Sequence, residues 1–358
     1  MALIRLSAYY IRKISLNGSL LPVGGDRSIE VPRVSLIIRC YNEAKHIGRL
    51  LVGIERQTFR DIEIIMVDSG STDATLDIAA HFPVKILHIP PERFSFGRSL
   101  NLGCAAATGD ILVIASAHVY PTHADWLDRL VAPFDDPTVA IVYGGQRGDA
   151  RTRYSEHRLF ESWFPDRPNP DQQHPFCNNA NAAVRRSFWL ERPYDEALTG
   201  LEDLEWATHM RRLGRRIVYD PAACIIHVHE ETPGRVLKRY QREAIALRAI
   251  MPDLRFGFPD FLRLLTANVT SDLWHALRAG RLPDVAWEIL WFRFMQFLGT
   301  WRGHRQQGEV PQALKRTFFY PAGAASSVWI DEDVRSKLRI DYGSSPIPGV
   351  PRKTEGPE

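Results

Sequence analysis

Apolar residues recur along this chain in two rhythms. Short apolar-rich runs at 34–38, 62–67, 84–89, 111–115 and 139–143 are bounded by turn residues and predict buried strands. Between them the spacing lengthens. In 45–57, Ile47, Leu50, Leu51 and Ile54 fall at i, i+3, i+4 and i+7, one face of a helix. A second helix is predicted from Ser71 or Thr72, either of which can cap it, to about His81, and Asp73 in its first turn suits the helix dipole. Residues 97–108 and 126–134 read as further helices. Strands that alternate with helices imply an α/β fold: a mainly parallel sheet with helices on both faces.

The second half of the pattern is different. Residues 149–179 are rich in Pro, Asn, Asp, Gln and aromatics, and predict a long loop over a site. Order resumes at 182–191. A helix is expected over 202–213, closed by Gly214, followed by short strands at 216–219 and 224–228. After Pro233 the chain reads as helical to about 303, with Pro252, Pro259 and Pro283 as breakers. The expected division is an extension at 1–31, an α/β domain at 32–232, a helical region at 233–330 and a mostly irregular tail at 331–358.

Composition excludes more than it selects. The chain is 45% hydrophobic and 24% charged with a net charge of +3, as in an ordinary folded protein. Its four cysteines, Cys40, Cys104, Cys177 and Cys224, form no CxxC pair, which predicts reduced, mostly buried thiols and no zinc site. Arg5, Arg12 and Lys13 interrupt any signal-peptide core. No uncharged apolar stretch of about 18 residues occurs, so no membrane-crossing helix is predicted. The expected address is the cytoplasm, with the inner face of a membrane as a further placement. No nucleic-acid recognition motif is present.

Chemistry gathers where strands meet helices. Tyr41, Asn42 and Glu43 follow the first strand, and Asp68 and Asp73 the second. Carboxylates and amides at the C-terminal ends of adjacent strands can meet the donors and acceptors of a nucleotide base and its ribose. Ordinary helix capping by Asn42, Ser71 and Thr72 is the plainer alternative.

The segments Val34-Ser-Leu-Ile-Ile-Arg-Cys-Tyr-Asn-Glu43, Val67-Asp-Ser-Gly-Ser-Thr-Asp-Ala-Thr75 and Phe94-Ser-Phe-Gly-Arg-Ser-Leu-Asn101 together resemble family 2 glycosyltransferases. Those enzymes have the GT-A fold, and the third segment is similar to the rhamnosyltransferase-like branch. The resemblance spans about residues 34–230. It implies nucleotide contacts from Arg39, Tyr41, Asn42, Glu43, Asp68, Ser69, Arg98 and Asn101. Phe96 stands where that branch usually has His.

The family carries Asp-x-Asp after its fourth strand, to bind Mg²⁺ or Mn²⁺. Here that position reads Ser116-Ala117-His118, with no carboxylate. Mg²⁺ prefers oxygen ligands, and an imidazole suits Mn²⁺ or other transition ions better. Either His118 ligates such an ion, or it hydrogen-bonds the diphosphate directly; weak or absent metal dependence is the expectation. Strand alternation in Cys224-Ile-Ile-His-Val-His229 puts His227 and His229 on one face. The resemblance sends a His from this point to the metal or diphosphate, and with His118 the three can form one pocket.

Gly200-Leu-Glu-Asp-Leu-Glu-Trp206 opens a helix. By resemblance Asp203 is the catalytic base and Glu202 its neighbour. A sugar hydroxyl is a poor nucleophile, so a placed carboxylate has to take its proton; acids at a helix start also simply favour the dipole. Asn178, Asn179 and Asn181 are candidate partners of sugar hydroxyls, or loop amides that satisfy turns. Arg235, Lys238, Arg239, Arg242 and Arg248, with aromatic helices around 287–297, suit an anionic membrane surface or the packing of a helical subdomain.

With these features the resemblance implies a glycosyltransferase that acts by direct displacement with inversion. It takes a nucleoside diphosphate sugar and a saccharide or lipid-linked saccharide acceptor, in cell-surface polysaccharide assembly. The alternative is a nucleotide-sugar-binding protein without transferase activity.

Overall fold

Strand β1 (Val34–Cys40) is buried almost throughout because helices cover both of its faces. Leu36 and Ile38 point into one hydrophobic core and Ile37 into the other. The computed structural model describes residues 34–306 together with 308, 310, 311 and 314; the expected extension at 1–31 and tail at 331–358 lie outside the described residues.

Seven more strands join β1: β2 (Ile62–Asp68), β3 (Val84–His88), β4 (Ile111–Ser116), β5 (Val119–Pro121), β6 (Val139–Arg147), β7 (Asn181–Arg185) and β8 (Arg216–His227). Their order is β3-β2-β1-β4-β7-β6-β8-β5. The α/β class is as expected, but the sheet is mixed. β3, β2, β1 and β4 run parallel, as do β6 and β8, whereas β7 lies antiparallel between β4 and β6, and β5 antiparallel to β8. The chain leaves β1 toward β2 and β3, then returns to the other side with β4. The crevice at such a reversal is where open α/β sheets bind ligands.

One layer holds α1 (Ile47–Glu55), α2 (Thr75–Ala79) and α4 (Trp126–Val131), whose Leu50, Leu51, Ile78, Trp126 and Leu130 pack on the first core. The other holds α3 (Phe96–Ala105), α6 (Arg186–Glu191) and α7 (Glu202–Arg212), which contribute Leu100, Trp189, Trp206 and Met210 to the second. Cys40, Cys104 and Cys177 are buried free thiols, and Cys224 is half-buried.

Two local expectations need correction. The loop expected over 149–179 contains α5 (Tyr154–Trp163). Its buried face includes Ser155 and Glu156 beside Leu159 and Phe160, so polar residues break the apolar stripe that would announce a helix. The two strands expected at 216–219 and 224–228 are one, β8. Pro221 reads as a break in sequence, but a register irregularity opposite Gly144 and Gln146 accommodates it.

Three C-terminal helices follow: α8 (Pro233–Ile250), α9 (Phe258–Arg278) and α10 (Leu282–Arg305). Gly299 and Gly303 let α10 approach α8 closely. A Cβ on either would stand 2.3 or 2.4 Å from the carbonyl oxygen of Leu237 or Gln241. Deeper down, Arg293 Nε pairs with Asp272 Oδ2 at 2.7 Å, and Ser155 Oγ donates to the same oxygen at 2.7 Å. That buried triad ties α10, α9 and α5 together. No described helix is long and apolar enough to cross a membrane.

Asn181, at the start of β7, is fully buried. It accepts from Trp126 Nε1 at 2.8 Å and donates to the carbonyls of Gly145 and Ala223 at 2.9 and 2.8 Å. Asn181→Ala strands all three partners, and chemical denaturation should show a loss of about 2–4 kcal/mol, since each buried group left unpaired costs about 1–3 kcal/mol.

Candidate active site

Parallel pairing brings polar strand ends to one level. Arg39 lies in register with Val67 on one side and Ser116 on the other, and Cys40 with Asp68. Beside these ends opens a cavity of about 310 Å³. Its wall combines Arg39, Phe96, Ser116 and His118 from the parallel half, Asn178 and Asn179 from the segment before β7, Glu202 and Asp203 from α7, His227 and His229 from β8, and Arg239, Arg242 and Glu243 from α8.

Glu202 and Asp203 are adjacent in sequence but unlike in environment. Glu202 pairs with Arg39 at 3.1 Å. Among the described residues Asp203 has no cationic partner in contact; it accepts from the backbone N–H of Asn179 at 3.0 Å and of Leu204 at 2.8 Å. Burial, and then the negative charge of Glu202, push the Asp203 carboxyl up to about 7, against the pull of those two N–H groups and Arg39. Leu201, just before α7, has φ 57°. A left-handed leucine is strained, and the turn it makes aims both carboxylates into the cavity.

Phe96 is a platform for two cations. The guanidiniums of Arg39 and Arg242 lie over its ring at 4.8 and 4.6 Å from the centroid. Arg239 is held by Glu156 at 2.8 Å and Glu231 at 2.7 Å.

The imidazoles of His118, His227 and His229 cluster, with ring centroids 4.1–5.7 Å apart. The pairing of β5 with β8 is responsible: Val119 faces His227, and Val228 N–H donates to the His118 carbonyl at 3.2 Å. Each Nδ1 has an oxygen partner, Glu43 for His118 at 2.7 Å, Gln146 for His227 at 2.7 Å and Glu156 for His229 at 2.8 Å. Burial, and then the other two imidazoles, push His227 well below its ordinary value.

The expected residues are placed unevenly. Arg39, Ser116, His118, Asn178, Asn179, Glu202, Asp203, His227 and His229 meet in the cavity. Tyr41, Asn42, Glu43, Asp68 and Ser69 form the adjoining loop pair. There Asn42 Oδ1 accepts Thr72 N–H at 2.7 Å, and Asp68 accepts the N–H groups of Gly70 and Ser71 at 3.0 and 3.2 Å. Ser69 Oγ is turned to the Cys40 carbonyl.

The structure does not bring Arg98, Asn101 or Asn181 to the cavity. Arg98 pairs with Glu196 at 2.7 Å. Asn101 bonds Tyr194, Glu196 and Trp189. Both serve to fasten the 194–196 turn to α3, and Asn181 is consumed inside the sheet. Among the basic residues read as a membrane surface, Arg239 and Arg242 face the cavity instead, and Arg248 bonds the carbonyls of His304 and Gln306.

Gln146 and Glu156 belong to no motif in the sequence. Gln146 lies beyond Gly144-Gly145, where the apolar run ends, and Glu156 lies in the Pro- and Asn-rich stretch 149–179. Polar Ser155 and Glu156 interrupt the apolar spacing of Leu159 and Phe160, so no local periodicity singles Glu156 out.

The reversal-point crevice, the mixed sheet and the carboxylate pair define a glycosyltransferase of the GT-A fold. A mannosyltransferase from Pyrobaculum calidifontis, solved in complex with GDP-Man and Mn²⁺, shares the fold at a TM-score of 0.53, with 20% identity over 90% of this chain and 95% of its own. Residues 35–198 match the model of glycosyl transferase family 2. The glycosyltransferase AglE of Haloferax volcanii is 33% identical over 227 residues, 59% of this chain and 72% of that protein. The O-antigen chain rhamnosyltransferase RfbN of Salmonella typhimurium is 28% identical over 221 residues, 58% of this chain and 70% of that one. The chain belongs to glycosyl transferase family 2 and is a glycosyltransferase.

The raised Asp203 carboxyl has a consequence for stability. A folded-state value above the unfolded one, about 3.9, favours the protonated folded form, so that contribution is present at low pH and lost as pH rises through about 7. Asp203→Asn should therefore gain thermal stability relative to the parent as pH goes from about 5 to about 8. Paired melting curves would show a Tm difference that widens with pH; a constant difference contradicts the raised carboxyl.

Proposed function

We propose that the cavity binds a nucleoside diphosphate sugar and that Asp203 is the base of an inverting, direct displacement. The acceptor hydroxyl oxygen attacks the anomeric carbon from the face opposite the diphosphate. The bond to the diphosphate oxygen breaks, the electron pair leaves with that oxygen, and the hydroxyl proton passes to Asp203. The observation that carries this reading is that Asp203, bonded to backbone N–H groups and to no cationic side chain among the described residues, faces the same cavity as Arg39, Arg239 and Arg242, where burial lifts its carboxyl to about 7. A carboxylate with that value is a competent acceptor of a hydroxyl proton near neutral pH.

Glu202 is held by Arg39 at 3.1 Å, and its negative charge, after burial, helps to lift the Asp203 carboxyl. Arg39, Arg239 and Arg242 bring positive charge to the wall where the departing diphosphate gains negative charge. Asn179 supports a contact with the sugar, because its side-chain Nδ2 is buried without a partner. The loop pair of Tyr41–Glu43 and Asp68–Ser69 is assigned to the base and ribose.

An oxygen-liganded Mg²⁺ or Mn²⁺ centre does not fit these residues. The Asp-x-Asp position holds Ser116 and His118, and the nearest carboxylate, Glu43, is bonded to His118 Nδ1. No step is routed through such an ion.

Likeness to O-antigen chain rhamnosyltransferases supports a deoxyhexose donor and a saccharide acceptor of cell-surface polysaccharide. A lipid-linked acceptor at the inner membrane face is supported by the outer side of α9 and α10. Among the described residues, Phe258, Leu262, Trp274, Leu277, Trp287, Leu290 and Phe294 are exposed there, with Arg263, Arg278 and Arg281 around them.

Asp203→Asn should lower kcat by about 10²–10⁴-fold, the usual worth of a general base, and leave donor affinity by calorimetry unchanged; near-parental turnover would overturn the assignment. The kcat/KM profile should rise with pH through about 7, because the base works only when deprotonated. Glu202→Gln should shift that rise to lower pH by about one unit, since a neighbouring negative charge is removed and Arg39 is freed.

A further inference from the structure

The three imidazoles are arranged more elaborately than hydrogen bonding to a diphosphate requires. Gln146 Nε2 donates to Asn178 Oδ1 at 3.1 Å, which turns the Gln146 carbonyl to His227 and makes His227 Nδ1 the donor. Glu43 and Glu156 do the same for His118 and His229. Arg239 also lies 3.3 Å from His229 Nδ1, but the 2.8 Å contact with a carboxylate assigns the proton there. Each Nδ1 is turned outward to its oxygen, which leaves Nε2 as the ring nitrogen not engaged by Glu43, Gln146 or Glu156. The ring nitrogens these residues can offer lie within 4.8 Å of one another. His227 is almost fully buried, and its Nε2 has no partner.

We propose that His118, His227 and His229 bind one divalent transition-metal cation through Nε2, in preference to Mg²⁺. Outer oxygens that hold the far nitrogen of each ligand are the usual support of a histidine-bound metal, fixing ring orientation and raising ligand basicity. Here three different elements supply them: the β1–α1 loop, β6 and α5. Nitrogens about 2.1 Å from a cation stand roughly 3–4 Å apart, so ring nitrogens within 4.8 Å of one another have to draw together to share one ion. An all-nitrogen set favours Zn²⁺, Co²⁺, Fe²⁺ or Ni²⁺, whereas Mg²⁺ seeks oxygen and retains water. The site would replace the carboxylate centre missing at Ser116-Ala117-His118. It rests on the transferase reading only for what fills the remaining coordination positions, which face the proposed diphosphate.

The test is Co²⁺ titration of the full chain, stripped of metal and free of nucleotide sugar, followed by visible absorption. The expected result is a nitrogen-bound Co²⁺ spectrum that saturates at one equivalent, is displaced by Zn²⁺ and survives a large excess of Mg²⁺. His118→Ala and His227→Ala should lose it, and His227→Gln supplies a shape-preserving variant if alanine unfolds the chain, as judged by circular dichroism. His275→Ala, on exposed α9, should keep it. Absence of the spectrum, its persistence in the folded His118 and His227 variants, or displacement by Mg²⁺ overturns the proposal. Transferase activity without the spectrum would sink this inference alone.

Discussion

Three residues of β5, paired antiparallel with the end of β8, set the geometry of the cavity. The contact is short, yet it decides which side chains share a space. It holds His118, at the turn after β4, against His227 and His229, which come more than a hundred positions later in the chain. The parallel half of the sheet supplies Arg39 and Ser116 at the same level, and the antiparallel β7 brings Asn178 and Asn179 across from them. A mixed sheet is what permits this. Parallel strands deliver their ends to one edge, and β7 and β5, running the other way, fold the remaining segments back over that edge.

Electrostatic asymmetry within Glu202-Asp203 follows from this convergence. Arg39 stands at the end of β1 and pairs with Glu202. Asp203, one position along the helix, turns toward the backbone of the Asn178–Asn179 segment instead. Two carboxylates that are equivalent as text end in unlike surroundings, one against a guanidinium and the other against backbone N–H groups. The same partition recurs around α8, where Arg239 is committed to Glu156 and Glu231 while Arg242 stacks on Phe96. Among the C-terminal helices, α8 is thus part of the cavity wall. Their tight seat depends on Gly299 and Gly303, and on the buried Arg293–Asp272–Ser155 triad that joins α10 and α9 to α5.

Local pattern determined much of the architecture. Buried runs such as Val34–Ile38 and the i, i+3, i+4, i+7 face of α1 are written in neighbouring residues, because burial on both sides of a strand and on one stripe of a helix selects residue type position by position. The motif residues were legible for the same reason: they lie at strand ends, where side chains reach the crevice. What sequence could not determine was direction and partnership. The orientation of β7, the union of 216–227 into one strand and the helix hidden at Tyr154–Trp163 depend on contacts with distant segments. So do the inward turn of Arg239 and Arg242 and the diversion of Arg98, Asn101 and Asn181 into structural bonds. A side chain's chemistry is fixed by its identity, but whether it is spent on the scaffold or left facing a ligand is decided by which groups the folded chain places within hydrogen-bonding reach.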